Sequence, residues 1–348
     1  MHWAINSISK IKKLHLSHRN WSEALSYSHA MLIASSPGEV VCITGPSRAG
    51  KSRLIESLEE LLICGDDFIN SDYMPVVKIL ATNCSVGGTF SSKAFTLRAL
   101  EAVKHPFYSD NNLDSKDWGA TFYKQLGRTP ETVLRPALEA AIINRKTKYI
   151  FIDEAQHVLY SRGGKKDAAA ILESWKCLAQ STGVVLVLVG AYPLLDALAL
   201  CPHMIGRKHQ IHISRYRSIP EDLKVFLSLL SSYSKFVNLE PNVDSLTVYA
   251  NYLYEGSLGC IGLLEAWIRE ALAYAMANDD SYLLLKHFEK SYKVDKDRRM
   301  VAAEIKNGEE FFLVNKDQCI VKPKKISSRK NRKPFEKIPF RHEISGRA

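Results

Sequence analysis

Gly45-Pro46-Ser47-Arg48-Ala49-Gly50-Lys51-Ser52 is a complete G-x-x-x-x-G-K-S run. It follows an apolar stretch, Val40-Val41-Cys42-Ile43, and precedes a helix-like one from Leu54 to Leu62. Strand, loop and helix in that order is the context in which the pattern carries chemistry. Gly45 and Gly50 let the backbone turn so that successive N–H groups face phosphate oxygens. The helix that follows adds the positive end of its dipole. Lys51 can reach the β- and γ-phosphates, and the Ser52 hydroxyl can ligate Mg²⁺. Pro46, Ser47, Arg48, Ala49 and Arg53 complete the cradle. The ligand these residues fit is a nucleoside triphosphate, with ATP and Mg²⁺ as the expected pair.

A second run supports the first. Tyr149-Ile150-Phe151-Ile152-Asp153-Glu154 is an apolar strand ending in two carboxylates. Asp153, at the end of a buried strand, is placed to hold Mg²⁺. Glu154 is placed to orient and deprotonate an attacking water, which favours hydrolysis over simple switching.

The rest of the chain must position these groups. Strands are predicted over 40–44, 74–81, 149–153, 184–190 and 210–213, with helices around 52–63, 91–104, 131–145 and 167–182. Such alternation implies an α/β fold, a parallel sheet sandwiched by helices. Ligands in such sheets bind at the carboxyl ends of the strands. After Arg215 the pattern turns helical over 220–232, 242–255, 258–277 and 282–293, a small helical lid. The run from Leu258 to Ile268 holds Gly259 and Gly262, suited to close packing. Four regions are expected: an N-terminal helical segment over 1–36, a nucleotide-binding domain over 37–217, the lid over 218–300, and a poorly ordered segment with a basic tail over 301–348.

Composition sets the remaining bounds. The chain has 348 residues and a net charge of +10. Most of that charge lies in residues 322–341, where nine cations face Glu336 alone. A basic, aliphatic-poor tail cannot fold alone and fits contact with nucleic acid or an acidic surface. No run is long enough to span a bilayer, and the N-terminus lacks a secretory pattern. Seven cysteines without a C-x-x-C pair argue against zinc and against a disulfide framework. His15, His18 and His29 read as surface or packing residues. These features lead us to expect a cytoplasmic protein with no membrane partner.

The triphosphate loop, the Asp-Glu strand and the helical lid together resemble an AAA+ ATPase. Asp153-Glu154-Ala155-Gln156-His157, and Leu172 to Ala179 leading into Val184 to Gly190, are similar to the TnsC/TniB family, ATPase regulators of bacterial DNA transposition. The segment Thr89 to Leu100 resembles that family as well. The resemblance implies an ATP-dependent homo-oligomer, ring or helical filament, on double-stranded DNA. It implies partners of the TniQ/TnsD target-selector type and, through the C-terminal tail, of the TnsA/TnsB transposase type, with hydrolysis disassembling the filament. It further implies an arginine finger acting on a neighbouring subunit, for which Arg207 stands at the matching place, with Arg215 and Arg217 nearby. The family's sensor positions correspond to Gly190-Ala191-Tyr192 and Leu258 to Gly262, which carry no charge and imply slow hydrolysis. For backbone contacts to DNA, two segments offer cations and hydroxyls: Lys93, Thr96 and Arg98 in one, Arg162, Lys165 and Lys166 in the other.

Three other readings compete. A replication-initiator or helicase-loader ATPase would carry a C-terminal winged helix, for which little sequence remains after residue 295. A small-molecule phosphotransferase explains neither Glu154 nor the lid. A nucleotide-bound scaffold with little hydrolysis is compatible with the uncharged sensor positions.

Overall fold

The computed structural model describes residues 2–14, 16–64, 72–82, 88–108 and 128–318. His15 and the basic tail over 322–341 lie outside the described residues. The chain divides into two units, one ending at Glu309 and the other starting at Glu310.

The first unit is built on β1 (Val40–Thr44), β2 (Val76–Leu80), β3 (Tyr149–Asp153), β4 (Val185–Gly190) and β5 (Lys208–His212). They form a five-stranded sheet in the order β2-β3-β4-β1-β5, and every pairing is parallel. β1 and β4 are buried along their whole length, as central strands covered on both faces must be. Side chains alternate between the two faces. Val40 and Cys42 join a core with α4 (Ser92–Ala102), α5 (Glu131–Asn144) and α6 (Lys165–Thr182). Val41 and Ile43 join the core on the other face, with α2 (Arg19–Ala34) and α3 (Lys51–Cys64).

Register fixes what meets at the carboxyl edge of the sheet. Thr44 stands level with Gly190 and His212, and Asp153 with Leu80. The phosphate loop, both acids and the ends of β4 and β5 therefore share one edge, as the strand pattern predicts. A short α7 (Pro193–Ala199) follows β4.

The region expected to form a lid contains α8 (Pro220–Ser234), α9 (Ala250–Ser257), α10 (Ile261–Ala277) and α11 (Leu285–Lys290). Its core centres on Phe226, Trp267 and Phe288. The apolar run that begins at Leu258 does not start a helix there. Leu258 and Gly259 take left-handed φ values of 55° and 71°, and Gly259 lies so close to Tyr216 that a Cβ would meet its carbonyl at 2.0 Å. α10 starts only after this turn.

The N-terminal segment serves both layers. α1 (His2–Lys13) sends Ile11 into the lid core, and the Trp3 indole donates to the Asp280 carbonyl at 3.1 Å. α2 instead packs Ala24 and Leu32 on the sheet. Residues 301–318, expected to lack regular structure, belong to α12 (Asp295–Gln318). Asp295 and Asp297 sit at the positive end of its dipole, and Ile305 buries to 2% exposure. Low overall hydrophobicity hid this helix, because only one narrow stripe of it is apolar.

Candidate nucleotide site

The loop from Gly45 to Gly50 wraps the N-terminus of α3. Arg48 and Gly50 adopt φ values of 62° and 87°; such left-handed positions turn backbone N–H groups into a concave anion nest. Gly45 is compressed against the end of β5, where a Cβ would sit 2.6 Å from the Ile213 carbonyl. Lys51 is only 6% exposed, and its ammonium donates to the carbonyls of Gly45 at 3.2 Å and Pro46 at 2.8 Å. Burial pulls its pKa below the ordinary lysine value, against the opposing pull of Glu154, Asp153 and Glu304.

Ser52 and Asp153 lie together, the hydroxyl donating to the carboxylate at 3.1 Å. Burial pushes the Asp153 carboxyl up, offset by the Glu154 N–H and Ser52. This hydroxyl–carboxylate pair is the hard-oxygen donor set that Mg²⁺ takes together with phosphate oxygens and water. Among the described residues no group of three or more His, Cys, Asp and Glu could hold a metal.

Glu154 stands at φ 55°, a left-handed conformation that costs a non-glycine residue about 1–2 kcal/mol. The twist turns its carboxylate off the strand axis toward Gln156, whose amide donates to it. The Gln156 carbonyl in turn accepts the Ala191 N–H at 3.1 Å. Gly190 makes room for this bridge: a Cβ there would meet Gln156 Oε1 at 2.4 Å. Beyond the Tyr192 hydroxyl, sequence reasoning found no polar and no charged group at the end of β4. Gln156 supplies one from the neighbouring segment, and its position two residues after Glu154 was the available signal.

The lid touches the loop directly. At Gly262, in the first turn of α10, a Cβ would lie 2.1 Å from the Arg48 carbonyl. Beside this contact is a cavity of about 140 Å³, lined by Trp21, Arg48, Gly50, Arg53, Ile261 and Glu265 among others. The Trp21 indole nitrogen is buried and makes no hydrogen bond. Sequence reasoning missed this cavity because α2, the loop and α10 contribute to it from distant parts of the chain.

The other expected site residues lie elsewhere. Arg207 is exposed, just before β5. Since Lys208 pairs with Val40, Arg207 belongs to the amino edge of the sheet, opposite the loop. Arg215 is on the loop side, where it forms an ion pair with Glu309 at 2.9 Å and donates to the Leu258 carbonyl at 3.0 Å. The two basic segments are neighbours: the Phe90 N–H donates to the Tyr160 carbonyl at 3.0 Å. Arg162, Lys165 and Lys166 run along the second segment, and all three are exposed. Lys165 reaches Asp196 at 3.3 Å. Thr96 faces inward, 8% exposed, with its hydroxyl donating to the Ser92 carbonyl at 3.0 Å. The helical stripe Ala94-Leu97-Leu100, buried in the sheet-facing core, carries that position into the interior.

The AAA domain family matches residues 35–198. No curated protein matches the sequence. Among solved structures, the ORC2 protein of Aeropyrum pernix in its ADPNP-ADP complexes is 14% identical, covering 78% of this chain and 66% of that one, with a TM-score of 0.48. A Walker-type ATPase of Pyrococcus abyssi is 16% identical over 85% of this chain and 75% of that one, TM-score 0.43. Drosophila ORC bound to DNA is 10% identical over 82% and 64%, TM-score 0.47. The chain has an AAA+ P-loop fold, and residues 35–198 are the part that matches the AAA domain family.

Proposed function

We propose that this chain is an ATPase that binds ATP at the Gly45–Ser52 loop and hydrolyses it slowly, in an assembly formed on double-stranded DNA. The observation that carries this reading is the convergence of Lys51, the Ser52–Asp153 pair and Glu154 at one sheet edge. The loop N–H groups and Lys51 hold the β- and γ-phosphates. Mg²⁺, when bound through Ser52 and Asp153, neutralises charge on those phosphates. Glu154 accepts a proton from the water that attacks the γ-phosphorus as the bond to the bridging oxygen breaks. Gln156 holds Glu154 and the end of β4 in one arrangement. The cavity beside Trp21 and Ile261 has room for the base, with the buried indole N–H available to a ring nitrogen.

Arg207 lies too far from its own loop to reach that phosphate, so it serves a neighbouring copy, and hydrolysis depends on assembly. Lys93, Arg162, Lys165 and Lys166 contact the DNA backbone, with Arg98 beside them. Thr96, turned inward, supports α4 rather than the contact itself. The Asp153-Glu154-Ala155-Gln156-His157 run supports a role in DNA transposition, linking a target selector to a transposase through the C-terminal tail.

The test is ATP hydrolysis and sedimentation of the full chain with and without duplex DNA. The expected result is DNA-stimulated hydrolysis and ATP-dependent assembly, both lost in Lys51→Ala. Hydrolysis or assembly that survives Lys51→Ala would remove the assignment.

A further inference from the structure

The mechanism leaves one carboxylate beside the phosphate site unused. In α12, Gly308 is pressed on Tyr192 so tightly that a Cβ would fall 2.1 Å from the ring. The neighbouring Glu309 grips Arg215 with both oxygens, at 2.9 and 3.0 Å. These contacts clamp the helix against the segments that follow β4 and β5, at the edge that carries the phosphate loop. Glu304 lies one helical turn before Gly308 and so shares its face, about 6 Å along the axis. Its Oε1 is buried and makes no hydrogen bond.

An unpartnered buried acceptor is costly, and a carboxylate more so than a neutral group. The cation that acts on it is Lys51, and each group acts electrostatically on the other. Burial pushes the Glu304 carboxyl above its ordinary value, and Lys51 draws it back. Asp153 and Glu154 also act on Lys51, but they come from the strand that carries Ser52's partner. Glu304 comes instead from α12, far along the chain, which is held at this edge only through the Tyr192 and Arg215 contacts described above.

A γ-phosphate and the Glu304 carboxylate are both oxyanions drawn to the same ammonium, and they repel each other. We propose that Glu304 is a specificity-determining residue that distinguishes nucleoside diphosphate from triphosphate at the Lys51 site. With a diphosphate bound, Glu304 supplies the counter-charge to Lys51 and residues 301–309 stay docked. With a triphosphate bound, the γ-phosphate takes that role and displaces Glu304, loosening residues 301–309. This inference rests on the reading of the loop as an ATP site.

The experiment compares dissociation constants for ADP and for a non-hydrolysable ATP analogue in the full chain and in Glu304→Gln, which keeps the shape and removes the charge. We expect the variant's preference to shift toward the triphosphate by about tenfold, the effect of removing one charge at several ångströms in a partly solvated site. A role in packing alone would change both affinities equally, and an unaltered ratio overturns the proposal. Amide hydrogen exchange of the unmodified chain gives a second reading that does not depend on the variant's folding. Residues 301–309 should exchange faster with the analogue than with ADP, and equal protection overturns the proposal as well. Failure of the chain to bind either nucleotide would sink the ATP-site reading itself, whereas binding of both with unchanged ratio sinks only the assignment of Glu304.

Discussion

Gln156 joins the Glu154 carboxylate to the backbone of Ala191, donating its amide to one and accepting the N–H of the other at 3.1 Å. A side chain two residues beyond the acid thus ties the end of β3 to the end of β4. Gly190 is what permits the close approach. Gln156→Ala should leave ATP affinity nearly unchanged, because no phosphate-cradling group is lost. It should lower kcat by roughly 10- to 100-fold, a fraction of the value of a well-placed general base. Steady-state kinetics separate the two, and a fall in affinity without a fall in kcat would contradict the positioning role.

Glu154→Gln removes the base and keeps the shape. Binding of ATP and DNA should persist while hydrolysis falls by at least about 100-fold. If hydrolysis limits the lifetime of the assembly, the variant's assemblies should outlast those of the unaltered chain. Light scattering after dilution into ATP-free buffer measures this, and equal disassembly rates would break the link between cleavage and release.

Gly262 is where lid and loop meet. An added methyl must displace the Arg48 carbonyl, which it would meet at 2.1 Å, and Arg48 is already in a left-handed conformation. Gly262→Ala should therefore weaken nucleotide binding, and cost about 1–3 kcal/mol of stability, the usual range for forced overpacking. Thermal unfolding and nucleotide titration check the two effects, and an unaltered affinity would show that the loop can yield.

How much of this was legible in the sequence follows from the range of each interaction. The loop, the Ser52–Asp153 pair and the α/β alternation rest on short motifs and local apolar runs, so five strands and their carboxyl edge could be read directly. Gln156 lay inside a motif already singled out, yet its partner Ala191 is far along the chain, and no local pattern announces that bond. The lid helix was expected from Leu258, whereas Tyr216, a distant residue, imposes the left-handed turn that delays it to Ile261. The same holds for α12, whose burial depends on Tyr192 and Arg215 rather than on its own composition.

His18 caps α2 by accepting the Trp21 N–H and is within 2.9 Å of the Tyr216 hydroxyl. Burial lowers its pKa from 6.5 to about 4. The unfolded chain therefore binds a proton between those values that the folded chain refuses. Stability contributed by the neutral ring is complete above pH 6.5 and is lost as the pH falls toward 4, by up to about 1 kcal/mol per pH unit. Replacement by Asn, which can still cap without titrating, should flatten the dependence of thermal stability across that range. An equally steep profile in His18→Asn would assign the acid sensitivity to other groups.

Arg207 and the phosphate loop lie at opposite edges of the sheet. Its neighbour Lys208 pairs with Val40, whereas the loop begins after Thr44 at the far end of the same strand. The residues between span about 20 Å at the rise of an extended chain, far beyond a side chain's reach. If Arg207 stabilises the transition state, it does so in another copy, and removing it should cost about 10³-fold or more in kcat. Arg207→Ala retains an intact loop, and Lys51→Ala retains an intact arginine. Each alone should be inactive, yet a mixture of the two should recover measurable hydrolysis at interfaces where the good loop meets the good arginine. Lys51→Ala forms no assembly of its own, so recovery requires that ATP-bound Arg207→Ala copies recruit it into theirs. A mixture as inactive as its components, despite co-assembly in sedimentation, would rule Arg207 out as the trans-acting residue and turn attention to Arg217.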